Sequence, residues 1–145
     1  MNLNESIRDW VFARVTDSFP SLAVVDLVTM GETDDLGPPF LAIYETAADA
    51  YEQGGVMLPG VTIFDINCEL HTVPAAADQE GTTAATEREY RRDLYDILGD
   101  RSMIDWVNGR NGWQVFDIRL GSPTTEPNEG RRISRWVLKI TAAPN

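Results

Sequence analysis

One segment, Val61 to Val73, constrains the fold of this chain more strongly than any other. Within the thirteen residues VTIFDINCELHTV, one set of side chains alternates with a polar set: Thr62, Phe64, Ile66, Cys68 and Leu70 with Asp65, Asn67, Glu69 and His71. Alternation with a period of two is typical of a β-strand with one buried face and one face toward solvent. At about 3.3 Å per residue this strand would extend roughly 43 Å, whereas an ordinary strand has about five or six residues. We therefore expect it to bend at a bulge or to reach past its own domain toward a neighbouring molecule.

Two other segments carry apolar residues at helical spacing. The first predicts a helix from about Leu3 to Ser18, ended by Pro20. The second predicts a helix from Thr86 to Leu98, in which Thr86 and Glu89 form a capping box. A shorter helix is expected at Met103–Val107.

Four further strands are predicted from β-branched, aromatic or alternating residues. They are Leu22–Met30, Phe40–Glu45, Trp113–Leu120 and Arg132–Ala142. Within the third of these, the alternation predicts one shared face for Gln114, Phe116, Ile118 and Leu120.

The remaining segments are predicted to be loops and turns, because Gly, Pro and small polar residues interrupt both periodicities. Gly31–Pro39 and Pro74–Ala85 are loops, and Thr46–Gly55 is either a helical turn or a loop. Pro59-Gly60 is expected to turn the chain into the long strand. Gly121–Gly130 forms the tip of a long hairpin that closes the fold.

The predicted order of elements is α-β-β-β-α-β-β. Because strands follow one another along the chain, the sheet should be mainly antiparallel and the fold α+β. The two amphipathic helices are expected to cover one face of this sheet. At 145 residues the chain is long enough for a real core, and we expect a single domain spanning residues 1–145.

The charge of the chain is strongly acidic and unevenly distributed. The net charge is −11, and residues 1–60 hold ten acidic side chains against two basic ones. Residues 110–145 hold six basic side chains against three acidic ones. An acidic part and a basic part on one chain can attract each other between copies, and head-to-tail contacts of this kind close into rings when the rotation between copies permits. The alternative is that both are solvated faces that give solubility.

One row of polar residues on the long strand is the main candidate for chemistry. Asp65, Glu69 and His71 share its polar side, where a general base or part of a metal site is conceivable. Alternating polar residues are also typical of a half-exposed sheet face that has no catalytic role. The sequence supplies no recognisable nucleophile or oxyanion donor for this row. Cys68, the only cysteine, lies on the apolar side and is expected to be a core residue in a reducing compartment.

No motif for a nucleotide, metal or other cofactor occurs in the sequence, so no cofactor is predicted. Gly109–Gly112 matches the GxxG spacing of an RNA-binding loop, but a strand follows it rather than a helix. The strongly negative charge also disfavours tracking of a nucleic-acid backbone.

The order of features resembles the tail terminator (tail completion) proteins of long-tailed bacteriophages. The resemblance covers nearly the whole chain and depends on this order rather than on a single diagnostic motif. It includes the N-terminal helix, a strand that begins at a proline, the long alternating strand, a polar loop, the capped helix and the closing hairpin. In this sequence these are Leu3–Ser18, Pro39–Tyr44, Pro59-Gly60 leading to Glu69–Val73, the loop with Asp78 and Gly81, Thr86–Leu98 and Trp136–Thr141.

The resemblance implies a structural protein and not an enzyme. Members form a hexameric ring at the head-proximal end of the tail tube, stop tube polymerisation and meet the neck (stopper) proteins of the head. DNA passes through the ring without sequence-specific binding. The implied location is the tail–neck region of the virion, after assembly in the host cytoplasm.

The charge layout adds hypotheses about the surfaces of such a ring. Basic residues and one tryptophan are candidates for the subunit interface: Arg119, Arg131, Arg132, Arg135 and Trp113. Acidic residues are candidates for the lumen or for an acidic contact face: Glu32, Asp34, Asp35, Asp65 and Glu69. Two alternative functions stay open. One is another neck or tail component, such as a head–tail joining protein. The other is a small acidic α+β enzyme or binding domain that uses Asp65, Glu69 and His71.

Overall fold

A computed structural model describes residues 3–31, 36–53, 56–75, 81–128 and 130–144. In these ranges the helices are α1 (Leu3–Ser18), α2 (Ala84–Leu98) and α3 (Ser102–Val107), with 3-10 turns at Pro20–Val24 and Arg110–Gly112. The strands are β1 (Asp26–Val28), β2 (Phe40–Gln53), β3 (Val56–Thr72), β4 (Trp113–Leu120), β5 (Thr124–Asn128) and β6 (Arg131–Pro144). None of the helices in the described part of the chain has the length and apolar character needed to cross a membrane.

The strands form one six-stranded sheet in the order β1-β2-β3-β6-β4, and β5 also pairs with β6. Only β1 and β2 run parallel, and the other pairs are antiparallel. This confirms the predicted α+β fold with a mainly antiparallel sheet and a closing hairpin. The long strand lies at the centre of the sheet, where it pairs with β2 on one side and β6 on the other.

The main core lies between the helices and one face of the sheet. Trp10 of α1 is buried and donates a hydrogen bond from Nε1 to the carbonyl of Ile97 in α2, at 3.0 Å. Trp136 of β6 is fully buried in the same cluster. The core side of β3 is formed by Phe64, Ile66, Cys68 and Leu70. The alternation of the sequence therefore identified the face of β3 that packs against the helices.

The start of α2 lies one turn earlier than predicted. Thr83 is the N-cap, and its hydroxyl accepts a hydrogen bond from the backbone N–H of Thr86 at 3.2 Å. A threonine three residues upstream offers the same hydroxyl that was expected of Thr86, so the helix begins at Ala84.

Leu22–Met30 was predicted to be a strand, and this is wrong for most of its length. Pro20 starts a 3-10 turn that extends to Val24, because proline is favoured in the first helical positions. The strand itself comprises only Asp26–Val28, which pairs in parallel with the beginning of β2.

Strand β2 is much longer than the predicted Phe40–Glu45 and includes most of Thr46–Gly55. The expected helical turn or loop is wrong up to Gln53, and residues 54–55 lie outside the described ranges. Pro59-Gly60 does not reverse the chain. It lies inside β3 beside a shift in register between Ala50 and Glu52, and Gly60 has a φ of +79°, which favours glycine.

The closing hairpin also differs from its prediction in two places. The supposed loop Gly121–Gly130 contains β5, which pairs with the first half of β6. A β-bulge between Val115 and Asp117 shifts the register of β4. Val115 and Ile118 are therefore buried, whereas Phe116 is 50% exposed, so the predicted shared face of Phe116 and Ile118 is wrong.

Candidate assembly surfaces on the open sheet face

We call the sheet side opposite the helices the open face. Because side chains alternate along each strand, it carries the polar row of β3 and the residues paired with that row. Asp65 pairs with Lys139 on β6, and Glu69 pairs with Arg135. The expected exposure of the row is wrong for Glu69 and His71, since each is only 4% exposed.

The buried half of the open face contains a polar group, which we call the Glu69 cluster: Tyr44, Glu69, His71 and Arg135. Arg135 donates to Oε2 of Glu69 from Nε at 2.9 Å and from Nη2 at 2.7 Å. Tyr44 donates from its hydroxyl to Oε1 at 2.9 Å. Nε2 of His71 lies 3.7 Å from Oε1, which is beyond hydrogen-bond distance, and its ring stacks on Phe40 with centroids 4.4 Å apart.

Electrostatics keep Glu69 ionised in this cluster. Burial alone would raise the pKa of Glu69, but His71, Arg135 and Tyr44 together lower this pKa to about 2. The hydrogen bonds that Arg135 donates to Glu69 also raise the pKa of Arg135, against the opposing effect of burial. A general base works best with a pKa near the operating pH and with an accessible oxygen. Glu69 has neither property, which favours a structural role for the cluster.

A pH dependence of stability follows from the depressed pKa of Glu69. A carboxyl group whose pKa is lower in the folded chain stabilises the fold above its unfolded value of 4.5, and loses that contribution as the pH falls toward 2. We expect Glu69 to account for about 3 kcal/mol of the stability lost between pH 6 and pH 2. Urea unfolding of the wild type and of Glu69→Gln across this range measures the difference. Glu89→Gln, at an exposed helix position, should retain the wild-type profile, and equal profiles for all three chains would contradict the assignment.

The exposed half of the open face contains an apolar depression of about 640 Å³, which we call the Phe116 patch. Its apolar lining comes from Tyr51, Val61, Ile63 and Phe116, and charged side chains border it. Lys139 and Arg119 expose 63% and 81% of their side chains there. The bulge in β4 places Phe116 on this surface. An apolar patch with a charged border is a common form of protein contact surface.

Most of the candidate interface arginines also make contacts within their own chain. Arg131 donates to the carbonyl of Leu36 at 2.9 Å, and Arg132 lies 3.3 Å from the carboxylate of Glu87. Arg135 belongs to the Glu69 cluster. Arg119 differs from these because it is largely exposed and pairs only with Asp117 on its own strand, at 2.8 Å, among the contacts in the described ranges.

The other candidate residues are placed as follows. Trp113 is partly buried and meets Phe64 edge-on, with centroids 5.2 Å apart. Asp65 forms an ion pair with Lys139 at 3.4 Å. Glu32, Asp34 and Asp35 lie outside the described residues.

The described residues include neither a reactive thiol nor a group of side chains suited to a metal ion. Cys68 is fully buried, and burial raises its pKa to about 12, so its thiol is not activated. Among the residues that the structure describes, no three His, Cys, Asp or Glu side chains are grouped to hold a metal ion.

Two members of these surfaces were not recognised in the sequence. Tyr44 lies 25 residues from Glu69 along the chain, and only the β2–β3 register brings them together. Phe116 was predicted to share a strand face with Ile118, because the bulge that separates them has no distinctive sequence pattern. No protein-family model matches this chain, and no curated protein matches its sequence.

Proposed function

We propose that this chain is a structural protein of a long-tailed bacteriophage that forms a ring of six copies. The ring caps the head-proximal end of the tail tube, ends its polymerisation and joins the tail to the neck proteins of the head. DNA passes through its centre without sequence-specific contacts. The proposal combines the resemblance in the order of elements with the surfaces described above.

The Phe116 patch is the observation that carries the proposal of an assembly role. A bulge moves a large aromatic side chain out of the core position that simple alternation would give it, and β-bulges often re-aim a side chain in this way. An aromatic side chain in an apolar depression is a frequent anchor for a protein partner. The Glu69 carboxylate supports the same interpretation, because both of its oxygens are occupied by contacts with Tyr44 and Arg135 of the same chain.

Charge attraction between copies can be tested most cleanly at Arg119. Reversal of Arg131, Arg132 or Arg135 would break contacts with distant parts of the same chain, whereas Arg119 is largely exposed and its pair with Asp117 lies within its own strand. We expect Arg119→Glu to weaken self-association several-fold at low salt and much less at high salt, because the screening length falls from about 10 Å at 0.1 M to about 3 Å at 1 M. Sedimentation velocity at the two salt concentrations measures this. Arg92→Glu, which changes another largely exposed arginine, on α2, should have no effect.

Tube termination is the direct test of the function. Tail tube protein of the same virus is polymerised with and without the purified chain, and tube lengths are measured by negative-stain microscopy. The proposal predicts shorter tubes with extra density at one end. Unchanged length distributions, with no density at the ends even at excess chain, would contradict it.

A further inference from the structure

Among the residues that the structure describes, strand β2 has a long edge with no pairing strand. Its first residues, Phe40–Ala42, pair with β1, and the carbonyl of Ile43 accepts a bond from the side chain of Asn4 at 3.4 Å. From Tyr44 to Gln53, β2 pairs only with β3, so in the described part of the chain the backbone groups on its other side have no partner. Unpaired edges of this length are templates for another strand, and proteins usually protect them.

On the opposite side of the sheet, the outer edge of β4 is covered by hydrogen bonds. Three contacts close the outer edge of β4: Gly109 N–H to the carbonyl of Trp113 at 2.7 Å, Val115 N–H to Oδ1 of Asn108 at 2.9 Å, and Arg101 to the carbonyl of Ile118 at 3.2 Å. The fold therefore supplies hydrogen-bonding groups that cover the edge of β4. It supplies no such groups along Tyr44–Gln53 in the described part of the chain.

Strand β5 provides a second open edge, on the β4 side of the sheet. It pairs with β6 on one side, and within the described ranges no hydrogen bond reaches the backbone on its other side. Pro127 has no N–H to contribute, so pairing along this edge would use mainly Thr124–Glu126. A sheet with open edges on opposite sides can continue from one copy to the next.

Charge determines which strand suits the β2 edge. Glu45 and Asp49 are exposed on β2, so pairing of two β2 edges would bring acidic side chains of both copies near one another, which is destabilising. The hairpin of β5 and β6 is net basic, because Glu126 is outnumbered by Arg131, Arg132, Arg135 and Lys139, although Arg132 and Arg135 also pair with Glu87 and Glu69 of their own chain. A contact between β2 and β5 therefore joins an acidic edge to a basic hairpin, and it is head-to-tail rather than symmetric.

We propose that β5 of a second copy of this chain adds to the Tyr44–Gln53 edge of β2, so that the sheet continues from copy to copy. This inference rests on the proposed function, because it describes the contact between neighbouring copies in the proposed ring. The backbone hydrogen bonds supply the affinity, as in other cases of strand addition. The acidic and basic residues select the head-to-tail arrangement.

Thiol cross-linking of mixed variants tests this pairing. One chain carries Asp49→Cys and the other carries Thr124→Cys, both at exposed positions of the open face. Cys68 stays in place, because it is fully buried and its raised pKa keeps it unreactive. A short bismaleimide is added, since it tolerates a small difference in register, and products are separated on a denaturing gel while native mass spectrometry records the assembly.

The proposal predicts a cross-linked dimer in the mixture, only monomer from either variant alone, and a ladder when both cysteines are on one chain. The dimer should be about tenfold more abundant than with Asp96→Cys of α2 as the partner of Thr124→Cys, because paired strands hold the thiols at a high effective concentration. Dimers from Asp49→Cys alone would overturn the head-to-tail pairing. An intact ring without the mixed cross-link would overturn the strand addition and leave the ring, whereas a chain that stays monomeric in the native spectrum would overturn both.

Discussion

Replacing Glu69 by alanine is expected to lower the free energy of unfolding by about 2–4 kcal/mol, a large part of the about 5–15 kcal/mol that stabilises a typical domain. The carboxylate is 4% exposed and accepts bonds from Arg135 and Tyr44. Its removal leaves a guanidinium and a phenol facing a buried position without their acceptor. Arg135 is partly exposed, so water recovers part of this loss, and the effect falls below that of a fully buried ion pair.

Asp65 provides a matched control on the same face of the same strand. Its ion pair with Lys139 is exposed on the lysine side, so Asp65→Ala should cost less than about 1 kcal/mol. Chemical denaturation of both variants at neutral pH gives the two values. Similar small losses for Asp65→Ala and Glu69→Ala would show that the Glu69 cluster does not stabilise the fold as described.

Replacing Phe116 by serine is expected to abolish most of the capping of tail tubes while the chain keeps its fold and its ring. The side chain is half exposed, so its removal costs the fold little. The sheet edges and the charged border of the patch, including Arg119, remain available for contacts between copies, whereas its apolar centre is available for a different protein. Loss of a central aromatic anchor weakens a protein contact by about 2 kcal/mol or more, which corresponds to about 30-fold in affinity.

Phe12 is a suitable control because it is the same residue type and is 65% exposed, but lies on α1 beside a groove on the helix side of the molecule. Phe12→Ser should cap tubes as well as the wild type does in the termination assay. If Phe116→Ser caps normally, the Phe116 patch is not the contact with the tube. If this variant loses the ring itself, the patch is a contact between copies instead.

The sequence predicted the fold class because periodicity reports local burial directly. Alternation identified the buried side of β3, and helical spacing identified α1 and α2. The extension of β2 was missed because the alanines of Thr46–Gly55 favour a helix in isolation. In the folded chain, a long ladder with β3 overrides that local preference.

The candidate surfaces were less predictable, since they depend on contacts between distant segments. Alternation correctly placed Glu69 and His71 opposite the core. Their burial comes from other parts of the chain, including Phe40 stacked on His71 and the neighbouring Arg135. The exposure of Phe116 depends on a one-residue bulge, and a shift of one residue moves a strand side chain to the other face.

The mass of the purified chain in solution tests the central claim of a closed ring most directly. Light scattering coupled to size exclusion gives the mass over a range of protein and salt concentrations, alone and with tail tube protein, and class averages of the same fractions show the shape. We predict a discrete assembly of six copies with an open centre, formed by the chain itself or on the end of a tube. A monomer under every condition, including with tail tube protein, would contradict the account.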